Sequence, residues 1–248
     1  MISSRKNFIY QLAKKRNETQ LRKIAIFVEG LTEQLFVERL LEELAGRRNI
    51  RIDLQRRVKD TFSTVRMGNN GGAERYFALI LDCANDERVK SEILDQRESL
   101  MRADYELIVG LRDLYPSSRT DFAKLRRMLA YGVPTNGIRI HLVLAVMEIE
   151  AWFIQEGEHY QKIGLGLTKD VVRARLGFDP DNDSAEMIDH PSEFLDQAYQ
   201  IVGKRYQKTQ KHIARTVNAI DYARMFMFVP QKCPALGKLI EPIEQFLT

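Results

Sequence analysis

The stretch IAIFVEGLTEQLFVERLLEEL, residues 24–44, decides how this chain is read. Residues 24–28 form a short, continuous apolar run rich in β-branched side chains, the pattern of a buried strand rather than a helix. Glu29 and Gly30 follow at once, and Thr32 stands where it can cap a helix. That helix runs to about Ala45, shows Leu35, Phe36, Leu40, Leu41 and Leu44 on one face, and stops at Gly46. A strand that ends in a carboxylate and turns into a helix raises one question. The acid is either an ordinary helix-terminus residue or one corner of a site.

Working outward, residues 49–55 alternate, with Ile50, Ile52 and Leu54 on one side, and read as a second strand near an edge. MGNNGGAERYF, residues 67–77, reads as a glycine- and asparagine-rich loop feeding a helix from about Ala73. A charged helix follows over residues 87–103. In YELIVGLRDLYP, residues 105–116, a third strand over 107–111 ends in Arg112 and Asp113, and Pro116 prevents its continuation. Residues 122–131 are helical, closed by Gly132 and Pro134. IRIHLVLAVMEIEAWF, residues 138–153, gives a fourth strand over 138–146 that runs through acids into a helix. Beyond about Gly157, short helices with Gly, Pro and Asp breaks dominate. Strands separated by helices predict an α/β fold with a parallel sheet. The organisation expected is a basic amphipathic helix within residues 1–20, an α/β core over 21–157, and a helical region over 158–248 packed on that core.

The 248 residues are 44% hydrophobic and 29% charged, which suits a globular chain able to bury a full core. Two cysteines, Cys83 and Cys233, make no disulfide framework and fit buried thiols in a reducing compartment. No apolar stretch reaches membrane-spanning length, and the N-terminus lacks the apolar core of a secretory signal, so a cytoplasmic protein is expected. The net charge of +4 permits a polyanion partner without requiring one.

Ligands of parallel sheets bind beyond the carboxyl ends of the strands. Three of the four expected strands deliver acids to that edge: Glu29, Asp113, and Glu148 with Glu150. A single acid after a strand is most often a helix-terminus residue. Several brought together repel, and their ionised forms then need a cation. An oxygen-only donor set without histidine suits Mg²⁺ or Mn²⁺. Spacing does not rank Glu148 against Glu150, because the strand is giving way to a helix between them.

These residues carry a resemblance. IFVEGLTEQLFVERLL resembles the first motif of TOPRIM domains, a strand followed by Glu-Gly and a polar turn with a second acid, here Glu33. LIVGLRDLYP resembles the second motif, in which an Asp ends a strand. Together with MEIEAWF and YQKTQKHIARTV, the pattern over roughly residues 22–220 is similar to a bacterial TOPRIM-like family related to the OLD-type nucleases. The resemblance implies a Rossmann-like, four-stranded parallel sheet flanked by helices, with a mostly helical C-terminal region. It implies a Mg²⁺-dependent nuclease acting on DNA or RNA, with Glu29 as ligand or general base, Asp113 as ligand, and Lys208 offsetting charge in the transition state. Gly30, Thr32 and Glu33 would support the motif. A role in anti-phage defence and a separately encoded ATPase partner of ABC or AAA type come with the resemblance, and a homo-oligomer is allowed. TOPRIM domains usually carry Asp-x-Asp at the second motif, whereas this chain has Asp113-Leu114-Tyr115. Glu148 or Glu150 would then supply the missing charge, or the site binds one metal, or the chain is a non-catalytic subunit that regulates an ATPase.

Lys204, Lys208, Lys211 and Arg215 are spaced four, three and four apart, one stripe if the segment is helical throughout. With Arg112 they are the candidates for contact with a nucleic-acid backbone. GNNGGAER could present backbone amides to a phosphate at a helix start. The four histidines lack metal-ligand spacing, and neither a nucleophile elbow nor a P-loop is present.

Overall fold

Arg22–Val28 forms strand β1, whose last five residues are fully buried, and Leu31–Ala45 forms helix α1 directly after it. The computed structural model describes residues 21–47, 49–69, 71–85 and 87–248. The basic helix expected within residues 1–20 lies outside them. Ile50–Val58 is β2, Thr61–Arg66 is β3, Tyr76–Asp82 is β4, Arg88–Arg102 is α2 and Tyr105–Asp113 is β5. Phe122–Ala130 is α3 and Arg139–Ala145 is β6. The rest is helical: α4 (Glu150–Glu156), α5 (His159–Ile163), α6 (Lys169–Leu176), α7 (Pro191–Gln200), α8 (Gln210–Ala219), α9 (Tyr222–Met227), α10 (Val229–Lys232) and α11 (Pro234–Leu247).

The sheet has six strands in the order β3-β2-β4-β1-β5-β6, where four were expected. All neighbours pair in parallel except β3, which runs antiparallel to β2. Two elements differ from the sequence reading. Residues 76–82 are a strand and not a helix. YFALILD lies between β2 and β1, and a parallel strand covered on both faces is a continuous apolar run with no period to betray it. The Gly-Asn loop before it therefore feeds a strand, and there is no helix terminus there to hold a phosphate. β3 is exposed along nearly its whole length, so it lacks the apolar alternation that marks a strand.

Alternation along the strands sorts the side chains into two faces. Ile24, Ile26 and Val28 of β1 join Leu107, Val109 and Leu111 of β5 in a core covered by α1 and the C-terminal helices. Phe36 of α1 anchors it, with its ring 5.8 Å from Trp152, 5.3 Å from Phe153 and stacked on Tyr222 at 6.3 Å. Ala25, Phe27 and Ile108 face the other way, onto Val89 and Ile93 of α2. Gly110 keeps this face close-packed, since a Cβ on it would lie 2.7 Å from Ile93 and 2.6 Å from Leu142 and those side chains would have to shift. Leu129 of α3 packs with Leu144 on this second face. The helix after β1 and the helix after β5 thus leave on opposite faces of adjacent strands. That places a topological switch point between the carboxyl ends of β1 and β5. Among the described residues no helix is long and apolar enough to cross a membrane.

Candidate functional site

Glu29 and Asp113 stand at that switch point. The Glu29 Oε2 accepts the backbone N–H of Asp113 at 3.0 Å, which couples the ends of β1 and β5. Asp113 is nearly fully buried, and its Oδ1 accepts the N–H of Ile149 at 3.1 Å. That bond draws the exit of β6 toward the same point. Met147, just before it, takes a left-handed backbone with φ 61°. A methionine pays about 1–2 kcal/mol for that conformation. The resulting bend carries Glu148 and Glu150 to the site edge by a turn that strand or helix spacing would not give.

The two acids have different environments. Glu148 accepts the Ser192 N–H at 2.8 Å and the Ser192 hydroxyl at 3.1 Å, and the Lys208 ammonium at 2.8 Å. Burial alone would raise its pKa, but Lys208 and Ser192 outweigh burial and hold it below the ordinary carboxylate range. Glu150 is fully buried at the first turn of α4, with Lys208 3.6 Å away. Its Oε1 accepts the Tyr206 hydroxyl at 2.8 Å, while its Oε2 is buried without a hydrogen-bond partner. Burial, with Glu148 adding to it, keeps the Glu150 pKa raised despite Lys208. Tyr206→Phe removes the hydroxyl donor to this carboxylate. The variant should lose about 1.5–3 kcal/mol of stability, read from the urea midpoint. A midpoint equal to wild type would show that the bond carries no weight.

Glu33 is the acid whose weight the sequence understated. It lies in the first turn of α1, almost wholly buried, and its pKa is pushed up to about 8 by burial, then by Glu150 and Glu29. Asp113 is driven well above the usual carboxylate range by burial, then by Glu33, Glu29 and Glu150. Four carboxylates, two from strand ends and two from the first turns of helices, therefore share a field. The Lys208 ammonium lies beside them, raised by Glu150, Glu148 and Asp113 against the effect of its own burial. The spacing of Glu29 and Glu33, four residues apart across a strand-to-helix turn, was the available signal for Glu33.

Several expectations need correction. Thr32 does not cap α1; Gly30 holds that position, and no side chain caps it. Thr32 lies inside the helix, buried. Gly30 has an extended backbone at φ −161°, which any residue adopts, so the turn itself does not demand glycine. A Cβ there would meet the Glu33 carboxylate at 3.4 Å, which is ordinary contact. Tyr115, where a second aspartate was expected, is part exposed and faces the His190 ring edge-on at 5.9 Å.

The basic stripe is not one helical face. Only Lys211 and Arg215 lie in α8; Lys204 and Lys208 precede it in irregular chain after Gly203, whose φ is 68°. Lys208 turns to the acids, and Arg215 lies over the Tyr199 ring at 5.6 Å. Lys204 and Lys211 are exposed. Arg112 precedes Asp113 on β5, and alternation sends its side chain to the opposite face from that of Asp113. Asp82, at the end of β4, is a further edge acid, engaged by its own turn at Ala84 N and by Arg56 at 3.2 Å.

The donor chemistry, carboxylate oxygens without histidine, fits a hard divalent cation. The partnerless Glu150 Oε2 is consistent with such a ligand. As the side chains stand, no group of three or more His, Cys, Asp or Glu residues that could hold an ion is found among the described residues. Binding would need rotation of side chains such as Glu29 and Glu33.

A family model described as "Domain of unknown function (DUF4276)" matches residues 28–244. No curated protein matches the chain. Among solved structures, a protein of Lactobacillus plantarum WCFS1 described as a cell surface hydrolase aligns at 13% identity and a TM-score of 0.32. The alignment covers 64% of this chain and 64% of that protein, a likeness too slight to carry an argument.

Proposed function

We propose that this chain, which belongs to the family described as Domain of unknown function (DUF4276), is a Mg²⁺- or Mn²⁺-dependent nuclease that hydrolyses phosphodiester bonds. The observation that carries the reading is the meeting of Glu29, Glu33, Asp113 and Glu150 at one switch point with a lysine ammonium beside them. Glu29 and Asp113 would hold the cation, with Glu33 and Glu150 completing the oxygen set. Such an ion lowers the pKa of bound water and offsets charge on phosphate oxygens. The chain's own residues do the rest. Glu29, fixed by the Asp113 N–H, is placed as ligand or general base. Lys208, held by Glu148, supplies fixed positive charge where negative charge develops on the phosphate oxygens. Ser192 and Tyr206 orient Glu148 and Glu150 and so hold this geometry in advance of substrate. The role proposed with this activity is that of a cytoplasmic effector of bacterial anti-phage defence beside a separately encoded ATPase.

The test is direct. Purified protein is incubated with duplex DNA, single-stranded DNA and RNA, with Mn²⁺, with Mg²⁺ and with chelator. Cleavage of at least one substrate that chelator abolishes is the expected result. No cleavage of any of them, with no Mn²⁺ binding by calorimetry, overturns the reading. One observation favours a second reading: no ion-holding group stands formed among the described residues. A TOPRIM-type subunit that regulates a partner ATPase without catalysis would give that second outcome.

A further inference from the structure

A groove of about 900 Å³ lies between α3 and β6, and none of the acids lines it. β6 is an edge strand that pairs β5 and no other strand. Both sets of alternating β6 side chains line the groove, Ile140, Leu142 and Leu144 on one side and Arg139 and His141 on the other. A cavity over one face would collect only one set. It therefore runs along the open edge, where one row of backbone N–H and C=O groups lacks a strand partner.

The groove has an apolar floor and a cationic rim. Arg126, Arg127 and Arg139 line it, all exposed, and no Asp or Glu does. Among the described residues none of these three arginines forms a salt bridge, although many of the other arginines do. Exposed edge strands are usually blunted or covered. Here the flanking charge selects what can cover it. Residues 1–20 carry Arg5, Lys6, Lys14, Lys15 and Arg16 with one acid, Glu18, and so have the wrong sign. A nucleic-acid strand would meet the rim charges but not the leucine and isoleucine floor.

We infer that the β6 edge is a docking site for an extended segment of a partner protein in which apolar and acidic side chains alternate. The segment adds a strand to the sheet: main-chain bonds to β6 give affinity, its apolar side chains meet the floor beside Arg126 and Arg127 of α3, and its acidic ones, on the other face, meet Arg139. The inference does not depend on the nuclease reading, since neither the acids nor Lys208 line the groove.

The probe is a short fluorescein-labelled peptide alternating valine and glutamate, titrated into the full chain by anisotropy. Saturable binding is expected, with slowed amide exchange confined to residues 139–145. The combined variant Arg126→Glu, Arg127→Glu, Arg139→Glu should weaken it by about tenfold or more with an unchanged circular dichroism spectrum. A peptide with proline at its centre should not bind, because it cannot complete the ladder. Absence of saturation, or equal binding by the variant, overturns the inference. So does a homodimer that the same variant dissociates, or an oligonucleotide that binds this rim when the peptide does not.

Discussion

Asp113→Asn is expected to lower metal-dependent cleavage by about 10³-fold or more, mostly in kcat. The substitution is nearly isosteric. The Asp113 Oδ1 accepts the Ile149 N–H at 3.1 Å, and an asparagine carbonyl can accept the same bond. The bend that brings Glu148 and Glu150 to the edge is therefore kept, and only the charge is lost. Glu29→Gln is the companion, since its carbonyl can still take the Asp113 N–H. Each variant removes one anionic oxygen donor from the proposed ion site, so Mn²⁺ affinity by calorimetry should fall with the rate. Wild-type rates in both variants would end the hydrolase reading. Lost cleavage with undiminished Mn²⁺ affinity would place the ion elsewhere.

Stability should fall as pH rises from about 4.5 to 8, a direction opposite to that of a protein held by salt-bridged acids. The folded Glu33 has its pKa pushed up to about 8, against an ordinary value near 4.5. Between those limits the folded state holds a proton that the unfolded state has released. The slope of stability with pH follows the protons bound unfolded minus those bound folded, and that difference is negative here. The contribution is complete below about 4.5 and gone above about 8. Asp113 and Glu150 are raised in the same direction and add to the slope. Glu148 is lowered, so its contribution is lost only as pH falls below the ordinary range, outside this window. Every tenfold gain in proton affinity on folding is worth about 1.4 kcal/mol, so the decline across the window amounts to several kcal/mol. Urea midpoints measured across the window should decline, and Glu33→Gln should flatten the decline. A Gln variant with the wild-type slope would sink the assignment to Glu33. Added Mn²⁺ should raise the midpoint most at pH 8, where ionised carboxylates compete least with protons for it.

The legible part of the site was the part written locally. Glu29 and Asp113 each terminate an apolar run, and a parallel sheet sends all such ends to one edge. Glu33 was visible as a second acid but not as a buried one, because burial of α1 depends on Phe36 meeting Trp152, Phe153 and Tyr222, residues more than a hundred positions away. Lys208 could be placed near the acids by resemblance, while its neighbours Lys204 and Lys211 could not be excluded by spacing. Gly203 ends the helical continuity that the stripe assumed.

The sequence by itself determined the α/β class, strands β1, β2, β5 and β6, helix α1, and the two acids at the ends of β1 and β5. These follow from side-chain period and from residues adjacent in the chain. Tertiary structure decided that residues 76–82 form a strand, because a segment buried on both faces carries no period. It also decided that Glu148 binds Ser192 and Lys208 while Glu150 stays buried with an oxygen unpartnered. The left-handed Met147 that separates those roles is a conformation its own side chain disfavours. The hydrogen bonds from the Ile149 N–H to Asp113 and from the Tyr115 N–H to the Met147 carbonyl, with the surrounding packing, hold it, and none of these is encoded within that stretch of chain.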